Sequence, residues 1–148
     1  MDKKRLEFLK KDYAQGFPAF CGFEVQKIGN GLFESRLKLQ PKHKQQDGFV
    51  HAGVIATMAD HTAGYSAYTL VTNDYRILTI EFKINYFRPA VGDEIVCRAN
   101  VINRGKKIIV SESEVFSIHN GDEKLVSKAM VTLMSVPSSG LSNGLATE

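Results

Sequence analysis

Cysteine is nearly missing from this chain: Cys21 and Cys97 are the only two among 148 residues. They share no CxxC spacing and have no histidine beside them, so neither a redox pair nor a zinc site is indicated and both are expected to be reduced core residues. No histidine cluster has ligand spacing, so no metal is expected. The chain also lacks a GxSxG elbow and a GxxxxGK[ST] loop, which removes support for serine-hydrolase and P-loop chemistry. The charged start MDKKRLEFLKKDYAQG is followed by no continuous apolar region and no small-residue cleavage site. A secretory signal is therefore not indicated, and a cytoplasmic location is expected. Residues 50–71 are the longest apolar-rich stretch, yet they include His51, Thr57, Asp60, His61 and Thr62, too many polar groups for a lipid-exposed span. A net charge of +3 without a basic stripe interleaved with aromatics argues against a nucleic-acid partner.

What remains is an ordinary globular composition, 43% hydrophobic and 24% charged, in a chain long enough for one core. One domain is expected over residues 1–136, with a short N-terminal helix at 3–15 and a mobile polar tail at 137–148. Leu6, Leu9 and Tyr13 mark the apolar face of that helix, which stops around Gly16-Phe17-Pro18. Alternation predicts strands near 22–28, 32–39, 76–87, 93–104, 107–119 and 123–136, with Gly29-Asn30-Gly31 as the first hairpin turn. Successive strands are expected to be antiparallel neighbours. His43 lies in a polar loop and is expected to be solvated. The order is an α+β arrangement: six antiparallel strands and one long helix at about 53–70.

Residues 47–68, DGFVHAGVIATMADHTAGYSAY, hold the most informative feature. Asp60 sits midway along this apolar helix, where an uncompensated charge is unfavourable and needs a partner or a role. Helical spacing surrounds it with Gly53, Ala56, Thr57, Ala63, Gly64 and Ala67, a face on which a backbone or a narrow ligand can approach closely. Nine residues upstream, His51-Ala52-Gly53 marks the helix start, whose unpaired N–H groups suit a developing negative charge.

These pieces, together with Thr79-Ile80-Glu81-Phe82-Lys83-Ile84-Asn85-Tyr86-Phe87-Arg88-Pro89-Ala90, resemble the hotdog-fold acyl-CoA thioesterases of the PaaI-like branch over about residues 22–136. The resemblance implies a six-stranded antiparallel sheet wrapped around the central helix. It also implies hydrolysis of an acyl- or aryl-CoA thioester to free acid and CoA. Asp60 then matches the general base or nucleophile, the Ala52 N–H matches the oxyanion donor, and Gln45 and Thr79 match the positions of an asparagine and a serine that hold water or substrate. His51 matches the histidine that opens the turn, where it orients the loop, and Gly53 matches its last glycine. Two departures stand out: the first glycine of the turn is Ala52, and the asparagine is Gln45.

The family's active site is built across a dimer, so a homodimer, pairing further into a homotetramer, is implied. CoA belongs to the substrate and no separate cofactor is expected. Arg88 and the turn Arg104-Gly105-Lys106 supply cations for its phosphates. Two other readings use the same residues: a non-catalytic acyl-CoA sensor and, on the same fold, a hydratase or dehydratase.

Overall fold

Turn chemistry sets the strand pairs. A computed structural model of the chain describes residues 1–142. Its elements are α1 (Lys3–Tyr13), α2 (Gly16–Cys21), β1 (Glu24–Gly29), β2 (Leu32–Lys38), a 3-10 turn (Pro41–His43), α3 (Ala52–Tyr68), β3 (Tyr75–Tyr86), β4 (Glu94–Arg104), β5 (Ile108–His119), β6 (Asp122–Pro137) and α4 (Ser139–Ser142). Gly29 pairs with Leu32 across the two-residue loop Asn30-Gly31, where Gly31 has φ 74°. His119 pairs with Asp122 across Asn120-Gly121, at φ 51° and 83°; two positive φ values give a reversal that matches strand twist. At the β4–β5 turn a Cβ on Gly105 would lie 2.6 Å from the Ile108 carbonyl oxygen, so only glycine closes it.

The six strands form one antiparallel sheet in the order β1-β2-β4-β5-β6-β3. Successive strands are therefore not all neighbours. β3 pairs with β6 at the far edge, and the segment containing Arg88–Gly92 is a crossing, not a hairpin. The seven residues 87–93 reach up to about 23 Å when extended, enough to step over two strands, about 14 Å. A bulge between Thr79 and Glu81 interrupts the β3–β6 register.

α3 lies against the sheet and touches β2 through β6. Met58, Ala59, Thr62, Ala63 and Ala67 are fully buried there, in a core shared with Phe33, Ile95, Val115, Val131 and Leu133. This corrects the face assigned to Ala63 and Ala67: the sheet wraps the helix broadly enough to cover them, although Asp60 beside them is only half-buried. Small residues let α3 approach the strands, whose inner face is unusually polar at Ser111, Ser113 and Ser117 of β5.

Three further expectations change. The N-terminal helix ends at Tyr13, short of the expected residue 15, and residues 16–21 form a second helix. Gly16 at φ 60° breaks the first, and Pro18 is tolerated in the first turn of the next. His43 is buried, with 2% exposure. Its Nδ1 accepts from the Gln40 N–H at 3.0 Å, so Nε2 donates to the Cys21 carbonyl at 2.7 Å. Finally, β6 runs to Pro137 and residues 139–142 are helical, with the Ser138 N–H donating to the Asp74 carbonyl at 2.7 Å. The remainder of the expected tail, 143–148, lies outside the described residues.

Candidate active site

The first N–H groups of a helix have no intrahelical acceptor. At the start of α3 His51 acts as N-cap, in extended backbone with φ −62° and ψ 132°, and its Nδ1 accepts from the Gly53 N–H at 2.8 Å. The ring thus does what a serine or aspartate side chain does elsewhere, and the neutral imidazole carries its proton on Nε2. The cap uses the Gly53 donor. The Ala52 N–H has no partner among the described residues, while the Ala52 carbonyl accepts from the Tyr86 hydroxyl at 2.9 Å. That free donor stands at the positive end of a 17-residue helix.

Gln45, His51, Ala52, Tyr86 and Arg88 line one open cleft of about 610 Å³. The structure thus brings together four of the residues singled out in the sequence. Gln45 is held by its own turn: its Oε1 accepts from the Asp47 N–H at 2.8 Å, and its backbone N–H donates to the Phe49 carbonyl. Tyr86 enters this cleft from the end of the strand motif at β3. Burial pushes its phenol pKa up.

Asp60 lines a different cavity, of about 160 Å³, between α1, α3 and β3. Thr79, at the β3 bulge, donates to Asp60 Oδ1 at 2.8 Å. His61 points away from that carboxylate. It packs between Tyr13 and Tyr65, its Nε2 donates to the Tyr13 carbonyl at 3.0 Å, and burial lowers its pKa. His61 is thus a packing residue.

Arg104, Gly105 and Lys106 lie elsewhere. They line a third hollow with Val71 and Ser135, and Arg104 donates to the Leu70 carbonyl at 2.9 Å, beside the C-terminal end of α3. Gly105 serves its turn, and the three are remote from Arg88 within one chain. Among the described residues no group of three or more His, Cys, Asp or Glu side chains could hold a metal ion, and no helix is long and apolar enough to cross a membrane.

A family model of the thioesterase superfamily matches residues 47–124, which spans the helix start, Asp60 and Thr79. The chain belongs to the thioesterase superfamily. A solved thioesterase family protein from Silicibacter pomeroyi superposes with a TM-score of 0.87 at 28% identity, covering 90% of this chain and 99% of that one. A second solved structure, of a conserved protein of Pseudomonas aeruginosa, gives a TM-score of 0.78 at 28% identity, covering 86% of this chain and 98% of that one. Among curated proteins, the medium/long-chain acyl-CoA thioesterase YigI of Escherichia coli is 23% identical over 82% of this chain and 86% of its own length. The sheet-and-helix architecture is the hotdog fold of these thioesterases. Membership supports thioester hydrolysis as the activity.

Proposed function

We propose that this thioesterase hydrolyses acyl-CoA thioesters at a site shared by two copies of the chain. The observation that carries the reading is the separation of the two halves. Asp60 and Ala52 are eight residues apart on one helix, about 12 Å at 1.5 Å per residue, and they line different cavities. One carbonyl group cannot touch both within one chain. In a two-fold dimer the contact of Asp60 with the partner's Ala52 is repeated in reverse, which requires the two α3 helices to run antiparallel with the axis near Ala56. Gly53, Ala56 and Thr57 are small enough for such an approach.

The edge of the sheet favours the same assembly. β3 is twelve residues long, its outer edge has no strand partner among the described residues, and Leu78, Ile80, Phe82 and Tyr86 are 40–52% exposed. Long apolar edges of this kind are normally covered. On the sheet's outer face Leu78, Met134 and Ile108 sit in register across β3, β6 and β5, which supports a pairing of dimers into a tetramer.

In each site the thioester oxygen accepts the Ala52 N–H of one chain, where negative charge develops as the carbonyl carbon is attacked. Asp60 of the other chain acts through Oδ2, the oxygen Thr79 leaves open. It either removes a proton from the attacking water or attacks the carbon itself and is then hydrolysed. The carbon–sulfur bond breaks, CoA leaves as the thiol after taking a proton, and the acyl group leaves as the carboxylic acid. No cofactor takes part. Arg88 and, across the interface, Lys106 and the Arg104 turn meet the phosphates of CoA: antiparallel pairing carries the C-terminal end of each α3 past the partner's helix start.

The test is complementation between two inactive variants. Asp60→Asn keeps the acceptor for Thr79 and removes the base or nucleophile; Ala52→Pro deletes the N–H donor. Chains reassembled in equal amounts should regain about a quarter of wild-type thiol release, because half of the dimers are mixed and each holds one intact site of two. No regain from a mixture that contains mixed dimers would refute the shared site. Binding of acyl-CoA by the wild-type chain with no thiol released would instead leave a sensor.

A further inference from the structure

A peptide group is a rigid plane whose N–H and carbonyl point to opposite sides, so a contact at each end fixes how the plane is turned. The plane joining Ala52 to Gly53 is held in that way. Its carbonyl accepts from the Tyr86 hydroxyl at 2.9 Å, and its N–H donates to the His51 ring nitrogen at 2.8 Å. Residue 53 has to be small for this, because a Cβ on Gly53 would lie 3.0 Å from the same nitrogen, tighter than side chains ordinarily pack.

The neighbouring plane joins His51 to Ala52 and carries the free donor. The His51 carbonyl accepts from the Val54 N–H at 3.0 Å and the Ile55 N–H at 3.3 Å, and the His51 N–H donates to the His43 carbonyl at 2.8 Å. Each backbone polar group on either side of the Ala52 N–H therefore has a partner, while that N–H has none among the described residues. With its carbonyl held inside the first turn, this plane aims its N–H out of the helix end.

Most of these partners belong to the same loop and helix. Tyr86 does not: it lies thirty-four residues further on, at the end of β3. There its backbone pairs with Ser127 of β6, and the N–H of Phe87 donates to the Val126 carbonyl at 2.8 Å. The tyrosine thus ties the helix start to the sheet. The two peptide planes meet at the Ala52 Cα, so anchoring one limits the movement of the other. A donor acts on a developing oxyanion only when it is already held in place, and a displacement of about 1 Å can cost about 100-fold in rate.

We propose that Tyr86 positions the oxyanion donor: it holds the Ala52 carbonyl, and through it the Ala52 N–H, in fixed relation to the sheet without touching the thioester. Tyr86 is then a positioning residue, and the inference rests on the thioesterase reading above.

The experiment is a double-mutant cycle on kcat and KM for thiol release from hexanoyl-CoA and phenylacetyl-CoA. Wild type, Tyr86→Phe, Ala52→Pro and the variant carrying both changes are compared, with melting temperature and oligomeric state recorded for each. Tyr86→Phe removes one oxygen and keeps the ring; it should lower kcat about tenfold or more and leave KM within about twofold, with the oligomer unchanged. In the Ala52→Pro background the same change should alter kcat by less than about twofold, because the group Tyr86 acts through is gone. A direct contact with substrate would instead raise KM, or lower kcat equally in both backgrounds; a purely structural role would lower the melting temperature and leave the kcat of the folded protein at the wild-type value. Either of these results would overturn the positioning role while leaving the activity intact. If Tyr86→Phe does not assemble, Tyr86→Leu, which also lacks a donor, takes its place in the cycle. Ala52→Pro with wild-type kcat, or a wild type that releases no thiol from either substrate, would remove the oxyanion or the activity reading and this inference with it.

Discussion

Ala52→Pro separates the oxyanion donor from the fold more cleanly than any other single change in this chain. Proline at the first residue of a helix is well tolerated, because the N–H it lacks has no intrahelical acceptor there. Two local conditions decide whether that holds here. Residue 52 must accept the fixed φ of proline, which a first-turn helical position does. His51 must lie in the extended region that a residue before proline requires, and it does, at φ −62° and ψ 132°. The His51 ring still caps the Gly53 N–H, and the Tyr86 hydroxyl still finds the residue-52 carbonyl. Stability should therefore change by less than about 1 kcal/mol. Catalysis should not be spared. Loss of one oxyanion donor costs about 2.7–4 kcal/mol of barrier, a fall of roughly 100- to 1,000-fold in kcat. Thermal melting and steady-state thiol release on one preparation supply both numbers. A variant that melts like wild type and keeps more than about a tenth of its kcat would refute the role of this N–H.

Asp60→Asn should keep its melting temperature and lose roughly 100- to 10,000-fold in turnover, while Thr79→Val, which removes the donor to Oδ1, should cost less and leave binding intact; KM and kcat measured separately check both. Single turnovers in isotope-labelled water reveal the nucleophile, because an anhydride opened by water at the aspartate carbon places unlabelled aspartate oxygen in the first acid formed. Burial lowers the pKa values of His43 and His61 below the ordinary 6.5, so the unfolded chain binds protons that the folded chain refuses. Their contribution to stability is whole above about pH 6.5 and is lost as pH falls toward the folded values; melting scans from pH 8 to 5 should show the fall, and His43→Gln should flatten it. The buried hydroxyls of Ser113 and Ser127 have no partner among the described residues, so Ser113→Ala or Ser127→Ala should hold or raise stability, by up to about 1 kcal/mol in urea titrations. Cys97 is fully buried, with its thiol pushed up to about 12, and should resist aromatic disulfide reagents until the protein unfolds.

Where a local signal decides structure, the sequence was readable. The Asn30-Gly31 and Asn120-Gly121 turns, the alternation of β2 and the span of α3 all follow from φ preference or periodicity. The Asp60–Thr79 pair was reachable through the strand motif, since nineteen residues separate them and no period links them. Other features depend on contacts that no local pattern encodes. His43 reads as a solvated loop residue because its neighbours are charged, yet two backbone groups distant from or adjacent to it hold the ring inside. β3 lies at the far edge because α3 carries the chain across the sheet, a choice that alternation within β3 does not express. The serines on the inner face of β5 hide its core side, so hydropathy alone shows little contrast between its faces. The hydrogen bond from the Tyr65 hydroxyl to Asp12 joins residues fifty-three positions apart.

The uncovered strand β3 carries more than an edge. Thr79, which fixes one oxygen of Asp60, stands beside the bulge of the strand that the second copy covers in the proposed dimer. Dilution would then act twice: it parts each acid from its donor and frees the strand that steadies the acid. Specific activity should therefore fall with enzyme concentration earlier than any loss of helix or sheet, and full activity on redilution into concentrated protein should return at the rate of second-order association.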